Sequence, residues 1–181
     1  MPFAPDAEWA LRAAVDLVNT ATTPDTLTTP HELERWWLAH NYTGRHDRDT
    51  AELTALRALR PRLRALLTAD RDTAAEQVNK VLAAGHALPQ LVRHGDVDWH
   101  LHIVDPDDPL DHRVLMETAM AVIDLIRSHE PSRVAVCADG TCDGLVLDLS
   151  RNRSRRFCST RCANRNAASA YRARERAAAG R

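Results

Sequence analysis

The chain has 181 residues, with 24 Lys and Arg against 25 Asp and Glu, a net charge of −1 with neutral histidines, and a hydrophobic fraction of 44%. That composition is ordinary for a globular protein, the length suits one medium domain plus a small one, and no apolar run approaches the ~18 residues of a membrane span. The near-neutral balance conceals a split: residues 151–181 hold ten Arg and one acid, Glu175, whereas residues 1–150 hold the other 14 basic residues and 24 acids. A basic arm on an acidic body points to an anionic partner, most often nucleic acid.

Residues 1–130 read as mainly helical. Trp9, Ala10, Ala13, Ala14 and Leu17 recur at helical spacing over 7–20. A polar stretch from Thr20 to Thr28 breaks that helix. Thr29-Pro30-His31-Glu32 then has the form of a capping box with Pro at the first helical position, opening a helix that ends near Gly44. Leu53, Leu56, Leu59, Leu63, Leu66 and Leu67 predict a helix over 49–69, in which Pro61 is expected to cause a kink or a split. Thr73 and Glu76 form another capping-box pattern, followed by Val78, Val81 and Leu82. Leu88–Val92, a His94-Gly95-Asp96 turn and Val97–Val104 read as a hairpin, with Trp99, Leu101 and Ile103 on one face and His100 and His102 on the other. A helix over 110–129 follows, and Pro131-Ser132 marks the expected domain boundary, dividing a helical body at 1–130 from a small unit at 131–181. The tryptophans Trp9, Trp36, Trp37 and Trp99 are expected in the core.

The small unit holds all four cysteines, as Cys137-x4-Cys142 and Cys158-x3-Cys162 separated by fifteen residues. Two close pairs at this separation are a ligand pattern for one tetrahedral Zn²⁺, each pair gripping the ion from one tight turn. Two disulfides, in any of three connectivities, free thiols, or another metal are the alternatives. Disulfides require an oxidising compartment, and the first residues, Met1 to Asp6, have no basic or apolar leader pattern, so a cytoplasmic location is expected. No His follows His129, so an all-cysteine site is the simplest assignment. Four thiolates fill the tetrahedron and leave no open position, which makes the metal structural. Strand Arg133–Val136, the knuckle Cys137–Cys142, strand Leu145–Asp148, a basic turn and a helix from about Ser159 to Gly180 make a treble-clef-like finger. About 45 residues are too few for a stable core without the metal.

The run Cys158-Ser-Thr-Arg-Cys162-Ala163-Asn164-Arg165, after Asp148-Leu-Ser150-Arg151-Asn152-Arg153-Ser154-Arg155-Arg156-Phe157 and before Ala170-Tyr171-Arg172-Ala173-Arg174, resembles the CGNR zinc finger. Ala163 stands where the motif's name has Gly, and Phe157 where Trp is expected. The body, through Ala14-Val15-Asp16-Leu17-Val18-Asn19-Thr20, Asp25-Thr26-Leu27 and Leu33-Glu34-Arg35-Trp36, is similar to the ABATE domain that accompanies this finger. The two resemblances cover nearly the whole chain and imply a stress-induced transcription regulator of bacteria.

The expected nucleic-acid contacts are Arg151, Arg153, Arg155 and Arg156 in the basic turn and Arg161, Arg165, Arg172 and Arg174 on the last helix, with phosphate as their first target. Asn164 and Asp148 are expected to serve the knuckle, and Phe157 and Tyr171 to pack the small core. If the body senses a small-molecule effector, Asp16, Asn19, His100 and His102 are the places for it; His100-x-His102 lacks a third ligand for a metal. The leading reading is a DNA-binding regulator whose body senses a signal, forms a homodimer, or both. An RNA-binding or ribosome-associated module is the alternative, because arginine and zinc do not separate nucleic acids. An enzyme with a targeting finger is less favoured, since no nucleophile–base order or phosphate-cradling glycine loop stands out.

Overall fold

The computed structural model describes residues 3–94 and 97–179. In chain order these form α1 (Pro5–Asn19), α2 (Pro30–Ala39), α3 (Thr50–Thr68), α4 (Arg71–Ala84), the antiparallel pair β1 (Gln90–His94) and β2 (Val97–His102), and α5 (Leu110–Arg127). A 3₁₀ turn at Pro131–Arg133 leads to the antiparallel pair β3 (Val134–Val136) and β4 (Leu145–Leu147), then α6 (Thr160–Ala179). The chain is mainly helical with two small hairpins, and its cysteine-bearing end carries short strands and a terminal helix, as the sequence indicates. Gly95 and Asp96 of the expected turn, and Gly180 as the expected end of the last helix, lie outside the described residues. No helix among the described residues is long and apolar enough to cross a membrane.

Helix α5 is the hub, touching α1, α3 and α4. Its Val114, Met116 and Ala119 are fully buried, as are Leu11, Ala14 and Leu17 of α1 and Leu56 and Leu63 of α3. Each large apolar side chain buried this way contributes about 1.5–3 kcal/mol. The capping box at Thr29 and Glu32 is present, with both halves formed. The box expected at Thr73 is not. Helix α4 begins three residues earlier, because Asp70 takes the backbone N–H groups of Asp72 and Thr73 and also the Thr73 hydroxyl. A carboxylate at this position is as good a cap as a hydroxyl and gains from the helix dipole.

Pro61 does not split α3. A proline removes the N–H that would reach the carbonyl four residues back, here that of Arg57. The Arg60 Nε donates to that carbonyl at 3.4 Å. The remainder of the Arg60 guanidinium, itself buried, donates to Thr20 and to Asp25 Oδ1 at 3.1 and 3.0 Å, which pins the polar stretch after α1 onto α3. Gly44, at φ +78°, closes the turn beyond α2; a Cβ there would lie 2.4 Å from the Pro106 carbonyl oxygen.

The apolar face expected at Trp99, Leu101 and Ile103 is split: Ile103, just beyond β2, is buried, but the apolar side chains on the strands face outward. Leu91 and Trp99 are 67% and 64% exposed, whereas His100 and His102 lie partly buried toward the helices. Trp36 is buried in the core and Trp37 packs against it, but Trp9 (47% exposed) and Trp99 depart from the core expectation. Trp9 borders the cavity beside β2, and Trp99 carries the Arg93 guanidinium over its ring at 5.7 Å.

The second hairpin does not stand apart from the helices. Val134, Leu145 and Leu147 belong to the same apolar core as α1, α3 and α5. Strand β4 lies against α1 and β3 against α3. Asn19, at the last position of α1, bridges to β4: its side-chain amide donates to the Leu145 carbonyl (2.9 Å), and its oxygen accepts from the Leu145 N–H (2.6 Å). Arg64 of α3 donates to the carbonyl of Asp143 beside it.

Candidate metal centre and basic face

The turn after β3 presents Cys137 and Cys142, and the first turn of α6 with the residues before it presents Cys158 and Cys162. The four sulfurs lie within 4.8 Å of one another, at 3.6 Å for Cys142–Cys158 and 3.7 Å for Cys158–Cys162. All four cysteines are free thiols. A tetrahedron of sulfurs about 2.3 Å from one Zn²⁺ has edges of about 3.8 Å, so the cage has the size the ion requires.

Main-chain and side-chain donors converge on the sulfurs. The Cys158 N–H points at Cys137 Sγ, the Gly144 N–H at Cys142 Sγ and an Arg165 N–H at Cys162 Sγ, each at 3.4 Å. A Cβ on Gly144 would come to 3.0 Å from Cys158 Sγ and 3.3 Å from Cys142 Sγ, so glycine keeps the cage open. Burial and the neighbouring sulfurs push the Cys158 thiol up to about 12. Burial also acts on Cys137, but there N–H donors from Cys158 and Asp139 prevail and lower it. Four thiolates cannot share this space without a cation, which is what a divalent metal provides. The four cysteines thus form the site of one structural zinc.

Two acids brace the finger. Asp139, inside the knuckle, accepts from the Thr141 N–H and hydroxyl and from Arg165 Nε at 2.6 Å. Burial opposes its ionisation, yet these donors hold its carboxyl down at about 2. Asp148 accepts from the Ser150 N–H and hydroxyl and from the Arg155 N–H, folding the basic turn, the structural role expected of it.

A family model for ABATE, described as a "putative stress-induced transcription regulator", matches residues 11–129, and one for the CGNR zinc finger matches residues 133–175. The chain belongs to the ABATE family. It carries the CGNR finger directly after the ABATE domain, and Ala163 in place of the finger's eponymous glycine is accommodated as an ordinary helical residue of α6. No curated protein matches the chain significantly.

The arginines of the CGNR finger divide by engagement. Arg151, Arg156, Arg161, Arg172 and Arg174 are exposed, and among the described residues they enter no ion pair or side-chain hydrogen bond. Arg153 pairs with Glu130, Arg155 reaches the Cys158 carbonyl, and Arg165 is held by Asp139 and Cys162. Arg165 thus braces the knuckle. Asn164 is exposed, and the neighbouring Asn166 makes the bond to the Cys162 carbonyl instead. Phe157 packs on the cysteine cluster as expected, but Tyr171 is 58% exposed, because α6 leaves the finger after its first turns and, among the described residues, no other element packs beneath it there.

The residues proposed for sensing separate in the ABATE domain. Asn19 is committed to Leu145, and Asp16 pairs with His40 on the surface, at 2.9 Å. His100 and His102 line a cavity of about 530 Å³, with Nε2 atoms 3.2 Å apart. The lining residues that were not singled out from the sequence include Asp6, Tyr42, Arg113, Glu117 and Asp124. Arg113, Glu117 and Asp124 recur at helical spacing on α5 beside its apolar stripe, where the sequence alone does not separate them from the solvated face of an amphipathic helix.

Proposed function

We propose that this chain is a bacterial transcription regulator of the cytoplasm that binds duplex DNA through its CGNR finger, with the ABATE domain as a sensor or dimerisation module. The observation that carries this is the row of exposed, unengaged arginines, Arg151, Arg156, Arg161, Arg172 and Arg174, beside a closed zinc site. A closed site of four thiolates offers structure and no catalysis, and both family matches are to regulator and zinc-finger types, so a non-enzymatic role is the reading. The functional division falls at the 3₁₀ turn, with 1–130 as body and 131–181 as DNA-binding unit. The apolar hairpin face at Leu91 and Trp99 favours self-association of the body. Titration of the zinc-loaded protein against labelled duplex DNA and against structured RNA of equal length, at low salt, tests the proposal. Retardation of the duplex is expected. Preference for the RNA would replace the reading with an RNA-binding one, and failure to retard either would end it.

A further inference from the structure

The cavity in the ABATE domain lies between the N-terminal half of α1, the loop after α2, strand β2 and α5. Its volume of about 530 Å³ falls within the range that encloses small organic ligands. Its walls are apolar at Ala7, Ala10, Ile103, Met120 and Ala121, and aromatic at Trp9 and Tyr42. Three carboxyl groups also face it: Asp6 from α1, and Glu117 and Asp124 from α5.

The electrostatics of the lining select a sign of charge. Among the described residues Arg113 is the only Arg or Lys lining this cavity, and its guanidinium is turned to the main chain, donating to the carbonyls of Asp108, Thr43 and Arg45. Three of its five N–H donors are committed in this way, one from each nitrogen, which holds the guanidinium against the main chain, and the three carboxyl groups outnumber it. Asp6 is fixed in place, Oδ1 accepting the Ala7 N–H and Oδ2 the Leu101 N–H, and Asp124 stands close enough to feel its charge. Glu117 shares a hydrogen bond with the Tyr42 hydroxyl. Burial, opposed by Arg113 and Tyr42, pushes its carboxyl up to about 7, so a cation arriving beside it would be met by a group ready to ionise. The other titratable groups that face the space are His40, His100 and His102. Among the described residues only the four finger cysteines bring three or more metal-ligating atoms close together, so the spread-out acids of this cavity do not suit a bare metal ion.

We propose that this cavity binds a small organic cation, an amine bearing an apolar group, with the ammonium among Glu117, Asp6 and Asp124 and the apolar part against Trp9 and Met120. An aromatic face and carboxylates in a partly dry pocket are the combination that favours ammonium over neutral or anionic isosteres. The biological sense of this site rests on the sensor reading given above. Binding is measured without nucleic acid, so a failure here is separable from a failure of duplex binding.

The test uses three ligands of one size and shape on full-length, zinc-loaded protein at pH 7.5: benzylamine, benzyl alcohol and sodium benzoate. Ligand-observed NMR titration gives each dissociation constant. Benzylamine is expected to bind about tenfold or more tightly than the alcohol, and benzoate not at all. Glu117→Gln keeps the size of the side chain and a partner for Tyr42, and should weaken benzylamine about tenfold while leaving the alcohol unchanged. Asp124→Asn is a second variant, only half-buried and so tolerant of substitution, and should weaken the amine severalfold. The proposal is overturned if benzoate or the alcohol binds as well as the amine, if no ligand binds, or if both folded variants bind benzylamine like the parent protein.

Discussion

Replacing Asn19 with Ala tests whether the ABATE domain and the finger are mechanically joined. The side chain makes two hydrogen bonds to one residue of β4, at 2.9 and 2.6 Å, in a partly buried setting. Each such bond contributes about 0.5–1.5 kcal/mol net, and a buried partner left unsatisfied adds to the loss. Water reaches part of this site, so the sum is expected near 2 kcal/mol. The loss should be felt at the metal, because Leu145 follows Gly144, whose N–H donates to Cys142 and whose carbonyl accepts from Cys137. If about 1.4 kcal/mol of it falls on the knuckle, zinc affinity drops about tenfold. Guanidinium denaturation of zinc-loaded protein gives the stability, and competition with a chromophoric chelator gives the affinity. A variant within about 0.5 kcal/mol of the parent protein, with unchanged zinc affinity, would refute the joint as a structural coupling.

Three further outcomes are expected. Glu117 is raised from 4.5 to about 7 in the folded protein, chiefly by burial, so the native state holds a proton that the unfolded chain has lost. Stability should therefore fall as pH rises from 4.5 to 7, by up to about 3 kcal/mol, and stay level above, and Glu117→Gln should remove that fall. The stability difference between Gln variant and parent, measured by denaturation at each pH, must grow across that window; a flat difference would contradict the assignment. Cys158→Ser should abolish stoichiometric zinc by mass spectrometry and expose residues 133–179 to protease, while α1 to α5 keep most of their protection, since their apolar faces pack on one another. Changing Arg155 and Arg156 together to Ala should make the log–log salt dependence of duplex binding shallower by about one to two, equally on all sequences. No change in slope would remove the basic turn from the contact surface.

The sequence by itself determined the parts of this protein that depend on local spacing. The leucines of α3, the capping box before α2 and the two cysteine pairs are legible because helix period, cap chemistry and tetrahedral ligation act over a few residues. The same holds for the charge split that sets the arginine-rich end apart. Pairings across the chain were not legible. Pro61 looks like a break until Arg60 is seen to occupy the Arg57 carbonyl that the proline leaves unpaired. Asn19 reads as a helix-terminal residue until β4 lies beside it, 126 positions later. Arg165 reads as a free arginine until Asp139 is found against it. His100 and His102 alternate with apolar neighbours, and a strand pattern cannot say which face meets the helices; α1 and α5 decide it by enclosing a polar cavity there. Asn19 and Arg165 have partners distant in sequence, which only the folded chain brings within hydrogen-bonding range, whereas at Pro61 the donor is the adjacent residue and it is the side-chain direction that the sequence leaves open.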